Sequence, residues 1–559
     1  METIRAALRH APRVAVSHDS GNYRYGQLLR SAIRLADTIP PPTDASHPHC
    51  VAVMAEPGPD YVAATWAAWL RGAISVPLCP AHADGQLQYF FEDSRANCVL
   101  ASESHLERMV GVARPFGAEV LQAESRWGLG TNAGESGDEG VPGVDGSVRA
   151  AGAQPLSPLA ADPLVAAAVE LPDSTPSLII YTSGTTGKPK GAVHTHGSLG
   201  AQILALQRAW EFTEQDRVLH VLPLHHIHGI VNGLLTTLAS GGAVEMRPRF
   251  SVHDVWERLE RETDPISVFH GVPTMYSFLA AAADPKGRGD AAAEFDPAKK
   301  RAAHRLRFAA AGSSAAPAPL HAAWKALSGQ TLLERYGMTE TGMTLGNPLH
   351  GERRVGTVGV PFPFVEAKIE APEGGVGAAA GGSDESPDGR VGGAEAGCTP
   401  GELLVRGPQL FKEYLNRPEA TAEAFTPDGY FRTGDVAITS GSPPYFTLLG
   451  RASIDVIKRG GYKISALEIE SALLQHPALR EMAVFPLPSD DAYGEDIVAV
   501  AVPREADDAP SLDQLREFAK GKLAPYQLPT KLVYVDAIER NAMGKVNKKA
   551  LRKKLFELQ

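Results

Sequence analysis

Tyr181-Thr182-Ser183-Gly184-Thr185-Thr186-Gly187-Lys188-Pro189-Lys190-Gly191 follows directly on the apolar run Leu178-Ile179-Ile180, so a short buried strand opens into a loop of glycines, hydroxyls and lysines. The glycines free the backbone to turn its amides inward, the hydroxyls add donors, and Lys188 and Lys190 add positive charge. Together these features suit a polyphosphate. The stretch is not a Walker A loop: Gly184 and Gly187 are too close together, and Pro189, not Ser or Thr, follows Lys188.

Outward from this loop, helical and extended patterns alternate. Val252, Val255, Trp256 and Leu259 fall on one face of a helix that Pro265 ends before a strand at 266–269, which makes the fold class α/β. Two stretches interrupt the alternation. Residues 124–170 and 372–401 are rich in Gly, Ala, Ser and Pro with scattered acids, lack an apolar period, and read as surface excursions without chemistry.

From Arg451 onward a compact series of elements follows. Ser465-Ala466-Leu467-Glu468 has the form of a capping box opening a helix closed by Pro477. Strands are expected at 482–485, 497–502 and 532–535, with a helix near 512–523 and a basic tail in which Lys548 and Lys549 read as solvated surface. The chain therefore divides into a large α/β part, 1–450, and a small α+β domain, 451–559, of a size that can fold alone.

The composition is that of a large globular protein: 559 residues, 43% hydrophobic and 21% charged. With 54 Lys and Arg against 65 Asp and Glu, the formal charge of −11 argues against bulk binding to nucleic acid or anionic membrane. No run is long and apolar enough for a membrane span. Cys50, Cys79, Cys98 and Cys398 are scattered and form no C-x-x-C pair, which fits a reducing compartment better than a disulfide or zinc framework. The expected location is the cytoplasm, or a mitochondrial or plastid matrix if a transit peptide has been removed.

The glycine-lysine loop resembles the phosphate-binding signature of the adenylate-forming superfamily, and four further motifs in the same order extend the resemblance over nearly the whole chain. These are Tyr336-Gly337-Met338-Thr339-Glu340, Tyr430-Phe431-Arg432-Thr433-Gly434-Asp435 with Gly450-Arg451, Asp455 to Lys463, and Asn541 to Lys549 with its Gly544-Lys545. The resemblance implies a large, multi-subdomain adenylation domain and a small mobile C-terminal lid. ATP, Mg²⁺ and coenzyme A would act with a small-molecule carboxylate. Thr182, Ser183, Gly184, Thr185, Thr186, Gly187, Lys188 and Lys190 would cradle phosphates, Gly312, Ser313, Tyr336 and Gly337 would lie by adenine, and Asp435 and Arg451 would hold the ribose. Thr339 would contact phosphate, and Glu340 would hold magnesium. Lys545 would be the catalytic cation shared by the substrate carboxylate and the α-phosphate, and Gly460, Gly461 and Lys463 would face the pantetheine.

Within the superfamily the chain is most similar to malonyl-CoA synthetases, through Leu222 to Gly229, Val272-Pro273-Thr274-Met275-Tyr276 and Glu334 to Glu340. The implied reaction is ATP-dependent formation of an acyl-adenylate and then a CoA thioester, with malonate as the leading acid. A monocarboxylate ligase and a catalytically silent nucleotide-binding homologue are the alternatives. His226, Phe278, Ala311 and Arg249 are the acyl-pocket candidates. The subgroup's basic residue two positions after the Val-Pro-Thr-x-Tyr turn is replaced here, where Ser277 and Phe278 follow Tyr276, and its Ser-Gly-Ser is Ala311-Gly312-Ser313. A second carboxylate cannot be buried cheaply without a cation, which leaves His226, Arg249 or Arg335 to compensate.

Overall fold

The computed structural model describes residues 1–44, 47–124, 158–182, 188–287, 289–371, 400–451, 455–459, 462–489, 494–520, 522–540 and 546–557. The chain forms two compact units. One comprises Met1–Gln207, Phe212–Arg249 and Phe411–Asn416; the other comprises Arg208–Glu211, Phe250–Leu410 and Arg417–Gln559.

The first unit contains a seven-stranded sheet ordered Glu413–Tyr414, Lys190–Thr195, Pro176–Thr182, Ile74–Pro77, Cys50–Met54, Cys98–Ala101 and Glu119–Gln122. Its central strands are parallel and buried on both faces, so they read as largely apolar runs, with Ser75 the one polar residue of Ile74–Pro77. The crossover helix Pro59–Leu70 has Pro at its first position and is buried almost all round, as its alanine-rich sequence permits. Val76, Phe91, Val99, Met109 and Ile179 share one core. A second group in this unit sets Arg217–His220, Ala243–Met246 and Val14–His18 parallel, with Gly21–Arg24 antiparallel to the last.

The excursion expected over 124–170 is shorter than the sequence suggests. Asp162 caps the helix Pro163–Val169 by accepting from the Leu164 and Val165 amides, and that helix buries Val165 and Ala168. Residues 125–157 and 372–399 lie outside the described part. Cys50, Cys79 and Cys98 are free and buried.

In the second unit Val268–Gly271, Phe308–Ala311 and Leu333–Met338 run parallel, and Gly342–Gly346 and Val360–Pro361 continue antiparallel. The helix Val252–Glu260 is capped by Ser251, and the strand after Pro265 begins at Val268. A four-stranded antiparallel sheet follows: Glu366–Glu370, Gly401–Arg406, Phe431–Ser440 and Tyr445–Arg451.

Beyond Arg451 come the hairpin Val456–Arg459 and Tyr462–Ser465, the helix Ala466–Leu473, and a sheet of Leu479–Pro488, Glu495–Pro503 and Lys531–Tyr534, with Leu512–Ala519 between its last two strands. That sheet has a core on each face, one around Ile469, Leu473, Val484 and Leu515, the other around Phe485, Val498, Val500 and Leu551. No helix among the described residues is long and apolar enough to cross a membrane.

Candidate active site

In the first unit, antiparallel pairing of Pro176–Thr182 with Lys190–Thr195 brings Thr182 opposite Lys190 at the two ends of the glycine-lysine stretch. Ser183, Gly184, Thr185, Thr186 and Gly187 lie outside the described residues. Both lysines rest on aromatic faces: the Lys188 ammonium is 5.1 Å from the Tyr89 ring centre and the Lys190 ammonium 4.8 Å from that of Tyr414. Such contacts are worth about 0.5–1 kcal/mol where solvent reaches them, little enough for a polyanion to draw the cations away. Tyr89 also donates to the Pro189 carbonyl at 2.8 Å, and Tyr181, stacked on Phe90, donates to Asp93 at 3.0 Å. Tyr89, Phe90 and Tyr414, absent from the sequence motif, hold its edges together with the motif's own Tyr181.

In the second unit, Tyr336, Asp435 and Arg451 come together. Asp435 and Arg451 are register partners on adjacent strands. The Arg451 Nε is 2.8 Å from Asp435 Oδ1, and the Tyr336 hydroxyl donates to Asp435 Oδ2 at 2.5 Å. Arg451 also donates to the Thr433 carbonyl. Burial and the Asp435 carboxylate hold the Tyr336 phenol far above its ordinary range. A carboxylate with a fixed cation on one oxygen suits a pair of ribose hydroxyls.

Gly337, Thr339 and Glu340 belong to the strand Leu333–Met338 and the turn after it, with Glu340 buried. Among the described residues no group of three or more His, Cys, Asp or Glu could cage a metal. A single carboxylate fits Mg²⁺, which completes its shell with phosphate oxygens and water.

Beside Ala311, the turn Gly312-Ser313 runs against Arg335, and Ser313 adopts φ +71°. A Cβ on Gly312 would stand 2.6 Å from the Arg335 Cζ and Nε. Arg335 is 3% exposed, and its Nε and Nη2 lack hydrogen-bond partners. Burial pushes the guanidinium down to about 9. Its sequence neighbour Glu334 points the other way, accepting from the Ala316 amide at 3.0 Å and pairing with His321 at 3.0 Å.

Two of the acyl-pocket candidates face solvent. Phe278 is 59% exposed, on the far side of its helix from Tyr276, which is buried with its hydroxyl 2.8 Å from the Ala310 carbonyl. Arg249 is solvent-exposed, as the turn Arg247-Pro248-Arg249 allows. His226 is half-buried, its ring centre 4.2 Å from that of His225. Burial pushes His225 down to about 4.

Lys545, Gly460 and Gly461 lie outside the described residues, and Lys463 is the register partner of Lys458 in the hairpin. Lys548 departs from expectation. It is no surface residue: its side chain is 10% exposed and sits between Asp455 and Glu470.

Residues 4–415 match the AMP-binding enzyme family, and residues 468–545 match the AMP-binding enzyme C-terminal domain. A probable CoA ligase of Humulus lupulus is 40% identical, over 97% of this chain and 89% of its own. A malonate–CoA ligase of Arabidopsis thaliana is 39% identical, over 99% of this chain and 89% of its own. The ATP-bound structure of MatB from Rhodopseudomonas palustris superposes with a TM-score of 0.77 at 28% identity, covering 99% of this chain and 98% of that one. The match from residue 4 to 415, the separate C-terminal match and these near full-length likenesses together establish that the chain belongs to the AMP-binding, adenylate-forming enzyme family.

Proposed function

We propose that this chain joins malonate to coenzyme A at the expense of ATP, releasing AMP and pyrophosphate. The observation that carries the choice of acid is Arg335, a buried guanidinium with two free donors beside the Gly312 turn. Malonate differs from a simple fatty acid by a second carboxylate, whose burial is unfavourable unless a cation meets it, and a guanidinium offers two parallel donors to a carboxylate. Arg335 thus supplies the cation that the sequence lacks at Phe278. The malonate–CoA ligase of Arabidopsis thaliana, similar over nearly the full chain, supports the same reading. Phe278, on which a monocarboxylate reading rested, is exposed.

In the first step a malonate oxygen attacks the α-phosphorus and pyrophosphate leaves with the broken bond's electrons. Lys188 and Lys190 hold the polyphosphate, and Asp435 with Arg451 holds the ribose. The Tyr336 hydroxyl gives up its hydrogen bond to Asp435 when the ribose hydroxyls take that oxygen. Glu340 would hold Mg²⁺, which when bound neutralises phosphate charge. Lys545 bridges carboxylate and α-phosphate as negative charge moves between them; a positioned donor of this kind is worth on the order of 10²–10³ in rate. In the second step the CoA sulfur attacks the acyl carbon, AMP departs, and the thiol proton is released. For this step the small domain, 451–559, turns about Arg451 and withdraws Lys545, a motion that can set the turnover rate.

The test is AMP formation with ATP, Mg²⁺ and CoA across malonate, methylmalonate, succinate, acetate, octanoate and coumarate. Malonate should lead acetate by at least tenfold in kcat/KM, with malonyl-CoA as product. A monocarboxylate in the lead overturns the assignment of the acid, and silence with every acid overturns the assignment of the reaction.

A further inference from the structure

The tail that follows Lys545 packs Leu551 into the core around Phe485 and Val498, and at the start of its helix a largely buried ammonium adds a charged tie to the elements after Arg451. Lys548 opens the helix Lys548–Arg552, which Asn547 caps by accepting from the Ala550 amide at 3.0 Å. Its neighbour Lys549 is exposed, whereas the Lys548 Nζ lies 2.6 Å from Asp455 Oδ1 and 2.7 Å from Glu470 Oε1.

Each carboxylate is itself anchored. Asp455 Oδ2 accepts from the Arg451 amide at 3.1 Å, the Asp455 amide donates to the Arg451 carbonyl at 2.8 Å, and the Ala466 amide donates to the Asp455 carbonyl at 2.8 Å. Glu470, on the helix Ala466–Leu473, accepts from the Val484 amide at 2.7 Å. Gly450 leaves room for this junction: at φ +113°, a Cβ there would fall 2.2 Å from the Asp455 Cβ. The path continues outward, because the Arg451 side chain meets Asp435. On the other flank of 541–545, Arg540 and Val546 form an isolated antiparallel bridge, and Arg540 pairs with Glu481 at 2.9 Å.

We infer that Lys548 is a positioning residue, clamping the segment that bears Lys545 to the residues immediately following the ribose-contacting Arg451. The inference rests on the ligase reading, in which Lys545 serves adenylate formation. A domain that turns about Arg451 delivers Lys545 accurately only if the Lys545 segment is rigidly fixed to the chain leaving that pivot. Asp455 is where it leaves, and Lys548 lies three residues from Lys545. Without the ammonium, two largely buried carboxylates are left without a cation, and the start of the helix Lys548–Arg552 is held only by the apolar packing of the residues around it, Leu551 among them. An arginine fork can reach both carboxylates, so charge and reach, not the lysine itself, carry the role.

The experiment uses the full chain and separates the half-reactions: malonate-dependent exchange of pyrophosphate into ATP, and thioester formation from supplied malonyl-adenylate and CoA. Lys548→Gln should lower the exchange rate about 10- to 100-fold with the KM for ATP within about twofold, and leave the thioester step within about threefold. Lys548→Arg should restore exchange to within about threefold of the starting protein. Equal loss in both half-reactions, or no loss in exchange, overturns the role. If Lys548→Gln does not fold, Asp455→Asn decides, since it keeps the shape and leaves Lys548 on Glu470: the same split supports the role and its absence overturns it. An unsubstituted chain silent in both half-reactions overturns the ligase reading and this role with it, whereas an active chain whose variants show no split overturns the role alone.

Discussion

Arg335 and Gly312 constrain each other. The guanidinium fills the space where any Cβ at residue 312 would stand, and the backbone carbonyl of Arg335 lies only 2.8 Å from the same point, so the clash cannot be relieved by a side-chain rotation alone. Truncating one partner of a buried charge pair costs about 2–5 kcal/mol of binding. Arg335→Gln should therefore lower kcat/KM for malonate by about 10²- to 10³-fold while the KM for ATP stays within about threefold; Gly312→Ala should act in the same direction by displacing the guanidinium. Steady-state kinetics with malonate and ATP varied in turn check both, and an unchanged malonate KM in Arg335→Gln would remove Arg335 from the acid's site.

At this scale the sequence was legible where a residue's chemistry is local and misleading where burial decides. The pairing of Asp435 with Arg451 follows from their places in a recognisable motif. Phe278 lies two positions on from Tyr276, about 200° round a helix that buries only one face, which places it opposite the buried Tyr276. Lys548 could not have been found by the usual reading, since a lysine run is ordinarily solvated and only the distant Asp455 and Glu470 make this one interior.

Elements beyond Arg451 matched their sequence signals in kind more than in extent. The strand expected over 482–485 runs Leu479–Pro488, because tertiary pairing with Glu495–Pro503 extends a β-ladder past the apolar run that signals it. The helix expected near 512–523 stops at Ala519. The capping box at Ser465 is only half made. Ser465 accepts from the Glu468 amide at 3.2 Å, but the Glu468 carboxylate turns away to accept from Gln527 at 2.8 Å. The complete box lies at Ser511 and Gln514, where both reciprocal bonds form.

The difference at Ser465 has a measurable consequence. Its hydroxyl both caps the helix and donates to the Leu449 carbonyl at 2.8 Å, so Ser465→Ala removes two interactions at once. It should cost about 1–2 kcal/mol of stability, whereas Glu468→Ala, which leaves the cap intact, should cost less than about 1 kcal/mol. Urea unfolding followed by circular dichroism checks the order; a larger loss from Glu468→Ala would show that the carboxylate, not the hydroxyl, secures the start of that helix.

Over the whole molecule, the interior of the first unit sets a limit on the pH at which the fold persists. His220 ends the strand Arg217–His220 and is 1% exposed. Its Nε2 donates to the Gly229 carbonyl at 2.9 Å, which leaves Nδ1 as the only atom that can take a proton, and Nδ1 has no partner. Burial therefore pushes His220 down from 6.5 to about 4. For a base whose value falls on folding, the unfolded chain binds the extra proton between those two values, so the stabilisation is complete above pH 6.5 and declines as pH falls towards 4. At pH 5 the loss from this one residue is about 2 kcal/mol, and His225, pushed down to about 4 by burial, adds to it in the same window. The amide of a glutamine can still donate to Gly229 but cannot titrate. His220→Gln should accordingly be less stable than the starting protein at pH 7.5, yet lose about 2 kcal/mol less between pH 7.5 and 5. Urea unfolding of both proteins at the two pH values measures that difference, and parallel declines would place the acid sensitivity in the carboxylates instead of the buried imidazole.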